Sequence, residues 1–597
     1  MSNKCLLALV LGTLIAPASA LDIQGRVSAA GQPLAGVLVT AEDRESGDND
    51  NPASVSAFSD SAGRFVLPGL IHARAAQVTL RTHKIGYRQA AQEWDAAQSG
   101  QPLTVNLRLA AVDNVADQVP ASAWLARFPL DERGARFVAG QCAGCHQFPS
   151  RQVQRFASSL ASLGEAEKQE RWTEATRQEN ERLKERVWRG AVQTMRGLAL
   201  RFSADSPVRW GIDEKHPEYA KLMTADFSLF NQEEETAGAA ALARYLGSDF
   251  STFSLADYPA AATPLAATAK TRITEYALHT GGWTREIAWT PAGGQLWLVE
   301  DDADRIARLD PKTGRLRWID LPGSSQHPQG PHTINADREG NIWLSLEESY
   351  AIARLDPKTE QWRIYPGFGE FSIAHDACVD SDRYVAFDGK GRLWLTLIGQ
   401  NELASLDPAT GDIQRFPMPK KEGEAAFHAA LYGCVMSADR KQVWFTQLNG
   451  IVGGFDVETG KLQTSLTFPL GTIPHRMAID DGDVIYVALS GDGQVLAYDT
   501  RAGKELARHP LPDRNASPYA LTWDPRRRVV WVAASNTDVI YRLNPADGAV
   551  SVLPLPRPRA FLRMIDLDRT SGDLWTTYAH LPINRGPNYA VRIEVGD

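Results

Sequence analysis

The feature that most constrains this chain is a repeat. Lines of one form recur through residues 273–597: Leu296-Trp297 leads on to Arg308-Leu309-Asp310-Pro311-Lys312-Thr313-Gly314, and Ile342-Trp343 to Arg354-Leu355-Asp356-Pro357-Lys358-Thr359. The apolar pair returns as Leu393-Trp394, Val443-Trp444, Ile485-Tyr486, Val530-Trp531 and Leu574-Trp575. Seven copies with a period of about 46 residues, each holding four short strand-like runs, predict a seven-bladed β-propeller. The run Ile273-Thr274-Glu275-Tyr276 is similar to the last strand of other copies, such as Arg363-Ile364-Tyr365. It is expected to complete the seventh blade and so remove the open edges that invite aggregation.

The chain has 597 residues, too many for one core, so further domains are expected ahead of the repeat. Residues 1–20 have a Lys4-bearing start, an apolar run from Cys5 to Ile15 and the small-residue end Ala18-Ser19-Ala20, the pattern of a signal peptide. Its apolar run is shorter than a membrane span needs, so the expectation is export to the periplasm with no transmembrane anchor after cleavage. Residues 21–111 alternate in strand fashion between turns and predict a small β-sandwich. Residues 119–249 read as helical, with long charged stretches between Glu165 and Arg196, and the Ala/Thr/Pro-rich stretch 260–271 reads as a linker. The net charge of −9 without any dense Lys/Arg tract argues against a nucleic-acid partner.

Within the helical region, Cys142-Ala143-Gly144-Cys145-His146 has the Cys-x-x-Cys-His spacing at which two thiols one helical turn apart add to porphyrin vinyl groups and the histidine meets the iron. One covalent haem c on Cys142 and Cys145, with His146 as proximal ligand, is the expectation. Gly134 and Phe137 before the motif, and Glu234 to Leu246 after it, resemble the terminal helices of class I cytochromes c. That resemblance implies Met223 as sixth ligand, with Met195 as its rival and His216 or an open position also considered. Of the other cysteines, Cys378 and Cys434 are either a disulfide or two buried thiols.

Side chains at one equivalent position of each inner propeller strand form a ring around the axis. Aligning the copies on the hydrophobic residue and Asp that follow selects Arg285, His332, Arg383, Cys434, His475, Tyr519 and Arg563. Three arginines in so small a space call for an anion, and histidine and tyrosine beside them can move protons near neutral pH. The expected ligand at this mouth is a small anionic or aromatic substrate, an organic cofactor or a divalent metal. His332, His475 and Tyr519 would carry catalysis, with Arg285, Arg383, Cys434 and Arg563 binding.

Two more resemblances follow from these residues. Gly25-Arg26-Val27, Pro33-Leu34-Ala35-Gly36-Val37, Asp60-Ser61-Ala62-Gly63-Arg64-Phe65 and Gly86-Tyr87 resemble the carboxypeptidase regulatory-like domain, which implies a structural or docking module. The repeat, with Pro331-His332-Thr333-Ile334 and Pro474-His475-Arg476-Met477, is similar to the virginiamycin B lyase (streptogramin lyase) family. That family opens a cyclic ester by elimination, using a histidine base and glutamate-bound magnesium. Only Glu300 fits the glutamate position; other copies have Leu346, Leu397, Gln447, Leu489, Ala534 and Tyr578 there.

The expected fold class is therefore multidomain: a small β-sandwich, an all-α cytochrome c domain and a C-terminal seven-bladed β-propeller. A lyase transfers no net electrons, so the haem motif favours a periplasmic oxidoreductase that passes electrons from the propeller ligand to an acceptor or donor protein. The alternatives are a lyase with a passenger cytochrome and a non-catalytic electron-transfer subunit that docks a partner enzyme.

Overall fold

The computed structural model describes residues 22–127 with breaks at 44–52, 69–76 and 96–102, scattered positions between 138 and 249, and residues 250–596 with breaks, the longest at 421–428 and 580–587. Six four-stranded antiparallel sheets each use four consecutive strands, and their innermost strands are Thr284–Thr290, Pro331–Ala336, Ala374–Ala377, Leu431–Met436, Pro474–Ile479 and Pro518–Asp524. The seventh blade joins the two ends of the repeat: Ile565–Leu567, Leu574–Tyr578 and Asn588–Glu594 pair onward to Arg272–Leu278. The expected ring closure is thus found.

Local chemistry explains why the repeat reads as it does. The inner strand Leu431–Met436 is buried on both faces and is made of apolar and weakly polar residues. The outer strand Lys461–Thr467 alternates between exposed and half-buried positions. In three blades the repeat Asp accepts the indole N–H of the tryptophan on the following strand: Asp337 from Trp343 at 2.8 Å, Asp388 from Trp394 at 2.9 Å and Asp524 from Trp531 at 3.1 Å. In the Asp310-Pro311-Lys312-Thr313-Gly314 turn, the Asp310 carboxylate accepts the Lys312 N–H at 2.9 Å, and Gly314 takes a φ of 68° that favours glycine.

The N-terminal region is a two-sheet sandwich. Ile23–Ala29 pairs in parallel with Leu103–Leu109 and antiparallel with Arg64–Leu67. Leu38–Asp43 lies between Ala53–Phe58 and Gln77–His83 in the facing sheet. Between them Ile23, Val27, Val39, Phe65, Leu80 and Leu107 form the core. Strand Ala53–Phe58 also pairs with Arg272–Leu278, Val55 opposite Thr274, so the sandwich continues the seventh blade as one eight-stranded sheet. Ser54 donates to Glu275 at 2.7 Å, and Arg557 reaches Glu275 at 2.8 Å and Glu42 at 2.9 Å across the junction.

The expectation of an all-α cytochrome c domain over 119–249 is corrected by the fold. Among the described residues the chain is nearly all β. Among them, Ala121–Ala126 is a six-residue α-helix, short 3-10 turns lie at Leu255–Asp257 before the linker and at Thr268–Lys270 within it, and other helical backbone before residue 250 falls at scattered positions. The five-residue motif, the charged stretches and the flanking resemblance at Gly134, Phe137 and Glu234 to Leu246 carried that expectation, and no packed helical bundle accompanies them among the described residues. Haem c therefore has no support from the fold and is withdrawn. Cys145, His146 and Met223 lie outside the described residues, as do residues 1–21 with the signal-peptide pattern. Cys142 is half-buried beside a cluster of Val115, Trp124, Ala143, Phe148 and Phe250 that packs on Ile473 of the propeller. Asn536 grips this segment from below, accepting the Phe148 N–H at 2.8 Å and donating to the Phe148 carbonyl at 3.0 Å. No helix of the described residues is long and apolar enough to cross a membrane.

Candidate functional site

The first residues of the inner strands meet at one mouth of the propeller. Strand pairing makes Pro331, Ala374, Leu431, Pro474 and Pro518 equivalent, each opposite the end of its neighbour strand. The next residues, His332, His375, Tyr432, His475 and Tyr519, are buried and continuous. Ring centres are 4.5 Å apart for His332 and His375, 3.9 Å for His375 and Tyr432, 5.3 Å for Tyr432 and His475, and 4.5 Å for His475 and Tyr519. The Arg563 guanidinium caps the series, 3.9 Å from the Tyr519 ring centre. Tyr432 and Tyr519 share a hydrogen bond between their hydroxyls. Arg285 occupies the matching backbone position on Thr284–Thr290, and its side chain lies outside the described residues.

One layer deeper, Arg476 crosses the axis. It donates to Glu286 at 2.7 Å and to Asp376 at 3.0 Å, joining blades 5, 1 and 3. Thr333 donates to the same Asp376 oxygen at 3.0 Å. Burial would raise the Asp376 carboxyl, but Arg476, His375 and the Thr333 hydroxyl together outweigh it and hold the group at about 2. Gly433 packs closely beside this plate, since a Cβ there would stand 3.0 Å from the Arg476 Cα. At the ring, burial pushes the His475 pKa well below the ordinary histidine value, and the Arg563 and Arg476 cations push it further the same way. Burial, and Tyr519 beside it, raise Tyr432 well above an ordinary tyrosine. His475 is thus a neutral imidazole and Tyr432 a neutral donor at physiological pH.

The structure brings together His332, His475, Tyr519 and Arg563 from the sequence-derived ring, and places Arg383 and Cys434 elsewhere. In blade 3 the inner strand is interrupted after Cys378: the chain leaves as a hairpin, Val379 bridging Val385, and rejoins where Phe387 bridges Leu393. Counting back from Asp388 therefore lands on Arg383 in the hairpin rather than on His375. In blade 4, Ser437 fills the role of the repeat Asp, accepting the Gln442 N–H at 3.0 Å. Aligning on Asp439 shifts the register by two residues, from Tyr432 to Cys434, which keeps the same strand face but goes one layer deeper. Arg383 and Cys434 line a small cavity together with Arg476, Asp376 and Asn335. Arg383 reaches across to Asp566 of blade 7 at 3.5 Å, and Cys434 is disulfide-bonded to Cys378. The hairpin thus lies across the axis below the ring.

Glu300 is paired with Arg305 rather than with the ring. Two carboxylates lie near the histidines: Asp376, 3.3 Å from His375 Nδ1, and Glu347, one residue beyond the aligned slot, with an oxygen 3.5 Å from His332 Nδ1. His332, Glu347 and His375 each offer a ligand atom, all within 4.8 Å of one another, and so could hold a cation.

Residues 22–110 match the family described as carboxypeptidase regulatory-like domain, and residues 448–582 match that described as outer membrane protein assembly factor BamB. No curated protein matches the chain. Among solved structures, selenomethionine-substituted virginiamycin B lyase from Staphylococcus aureus is 17% identical with a TM-score of 0.45, over 54% of this chain and 99% of that one. A catalytically inactive variant of that lyase with Quinupristin gives the same values. A streptogramin B lyase is 18% identical with a TM-score of 0.45, over 54% of this chain and 98% of that one. The N-terminal sandwich is thus carboxypeptidase regulatory-like and the propeller BamB-like in its later blades, with these lyases among its structural neighbours.

Proposed function

We propose that the ring is the active site for proton transfer on a small carboxylated molecule, a polar reaction of the elimination or enolisation type. The observation that carries this reading is His475, neutral and buried between Tyr432 and Tyr519, with Arg563 stacked on the second tyrosine. A neutral imidazole is a base at rest. Beside it, Arg563 would anchor a carboxylate through paired N–H donors, and the linked tyrosine hydroxyls would supply or relay the returning proton. The oxidoreductase expectation rested on the haem domain, which the described residues do not support, and the residues of the ring favour proton rather than electron movement. The Cys378–Cys434 disulfide supports an exported, oxidising location such as the periplasm.

The test uses pyruvate and phenylpyruvate, C–H-acidic carboxylates of two sizes. Calorimetric titration is expected to show binding that R563M weakens about tenfold or more. H475Q should retain binding. Equal affinity of wild type and R563M for both acids would remove the anchor from the account.

A second reading adds a divalent cation on His332, Glu347 and His375, favoured by their ligand atoms lying within 4.8 Å of one another. Such an ion would polarise a substrate carbonyl. Calorimetry with Mn²⁺ or Zn²⁺ on wild type and E347Q decides it: binding lost in E347Q supports the site, and identical isotherms remove it.

A further inference from the structure

We propose that Ser490 is a positioning residue that fixes the tautomer of His475, placing the proton on Nδ1 and leaving Nε2 as the basic nitrogen. The proposal deepens the reading of His475 as the base and rests on it for its catalytic consequence.

A serine hydroxyl has one hydrogen to give and lone pairs to receive. Ser490 gives its hydrogen to the carbonyl oxygen of Pro518, the first residue of the neighbouring inner strand. The same oxygen contacts His475 Nδ1. With the hydroxyl hydrogen committed to Pro518, the contact is attractive only when Nδ1 carries a proton. A neutral imidazole has one N–H, so Nε2 must then hold the lone pair.

The hydroxyl is not free to turn elsewhere. Ser490 is fully buried and opens the short 3-10 turn Ser490–Asp492. Its backbone N–H donates to Ile473 at 3.2 Å, and the Gly491 N–H donates to Thr472 at 2.9 Å. Gly491 packs so closely that a Cβ there would stand 1.7 Å from the Gly471 carbonyl oxygen. The turn is thereby locked against the chain that leads directly into Pro474-His475.

Blade 2 repeats the arrangement with different residues. Thr333 donates its hydroxyl hydrogen to Asp376 at 3.0 Å, and the same oxygen lies 3.1 Å from His332 Nδ1. Two imidazoles on well-separated blades are therefore held by a hydroxyl whose own hydrogen is already engaged. The neutral histidine side chain in water favours the opposite tautomer, so the hydroxyl contacts act against the intrinsic preference and need a committed acceptor to do so.

The test is nitrogen NMR of the full chain with ring-¹⁵N-labelled histidine. The chain has 12 histidines, and the His475 signals are assigned by their loss in H475Q. The expected result is His475 in the Nδ1–H form in wild type, reverting to the Nε2–H form in S490A and restored in S490T. Wild-type protein with His475 in the Nε2–H form overturns the proposal whether or not S490A folds. So does an S490A spectrum identical to wild type. Deuterium exchange into phenylpyruvate is measured in parallel, where S490A is expected to slow turnover on the order of 10–100-fold, the range seen for lost outer partners of functional histidines. An Nδ1–H wild type that S490A disrupts, with no exchange in any variant, keeps the tautomer assignment and removes the catalytic reading.

Discussion

Arg476 Nη2 stands 3.0 Å from Asp376 Oδ1, an ion pair reaching from blade 5 to blade 3 directly beneath the aromatic ring. Both groups are buried, and the second arm of the guanidinium holds Glu286 of blade 1 at 2.7 Å. The pair is thus both the floor of the site and a tie across the axis.

Removing the cation alone strands two buried carboxylates. Arg476→Met is expected to destabilise the protein by about 3–5 kcal/mol, the usual cost of breaking a buried pair from one side. Chemical denaturation checks this; a loss below about 1 kcal/mol would mean that Asp376 and Glu286 are solvated or protonated.

The same pair sets an acid limit. Asp376 is held at about 2 in the folded state against an ordinary value of 3.8, so its contribution is complete above pH 4 and lost as pH falls toward 2. The linked stabilisation is on the order of 2 kcal/mol. Stability curves from pH 5 to 2 should steepen in wild type relative to Asp376→Asn.

His475 shifts the other way from a solvent histidine. Because burial and the Arg563 and Arg476 charges lower its pKa, the base stays deprotonated as pH falls through 6.5. Turnover should hold level through that region and decline only at lower pH, and R563M should move the decline upward. A wild-type decline centred at 6.5 or above contradicts the electrostatic account.

The Cys378–Cys434 disulfide closes a loop with a sequence separation of 56 at the base of the hairpin that carries Arg383. A loop of that length corresponds to about 4 kcal/mol of chain-entropy stabilisation. The paired serine variant should lose stability of that order, and mass spectrometry of unreduced digests should find the Cys378 and Cys434 peptides joined. Separate peptides, each with a free thiol, would contradict the pairing.

Deleting residues 22–110 would uncover the edge of Arg272–Leu278 and remove Glu42 and Ser54 from the junction. An uncovered edge strand pairs with other chains. Sedimentation should show the truncated chain associating where the full chain does not; a monomeric truncated chain would show that the strand pairing between the two regions is dispensable.

The propeller was legible because two local contacts repeat: the Asp that takes the tryptophan N–H, and the Asp-Pro-Lys-Thr-Gly turn. The ring was legible wherever the inner strand runs unbroken to that Asp, as at His332, His475 and Tyr519. It was hidden in blade 3 by the hairpin within the strand and in blade 4 by Ser437 in place of the Asp. His375 and Tyr432 were therefore missed, although Ala374-His375 parallels Pro474-His475. Glu347 was missed by a single residue of register. The continuous sheet between sandwich and blade was not readable, since Ala53–Phe58 has no pattern that names its partner strand. The cysteine motif shows the converse: its spacing and the helical character around it suggested a whole domain, and the described residues do not supply one.

The central claim is that His475 removes a proton from a carboxylate bound at the ring. Deuterium incorporation at C3 of phenylpyruvate in D₂O, followed by proton NMR, tests it directly. The account predicts exchange above the uncatalysed rate with wild type and a loss of about 10²–10⁴-fold in H475Q with binding retained. Exchange that persists undiminished in H475Q would contradict it, as would wild-type protein that binds the acid without exchanging it.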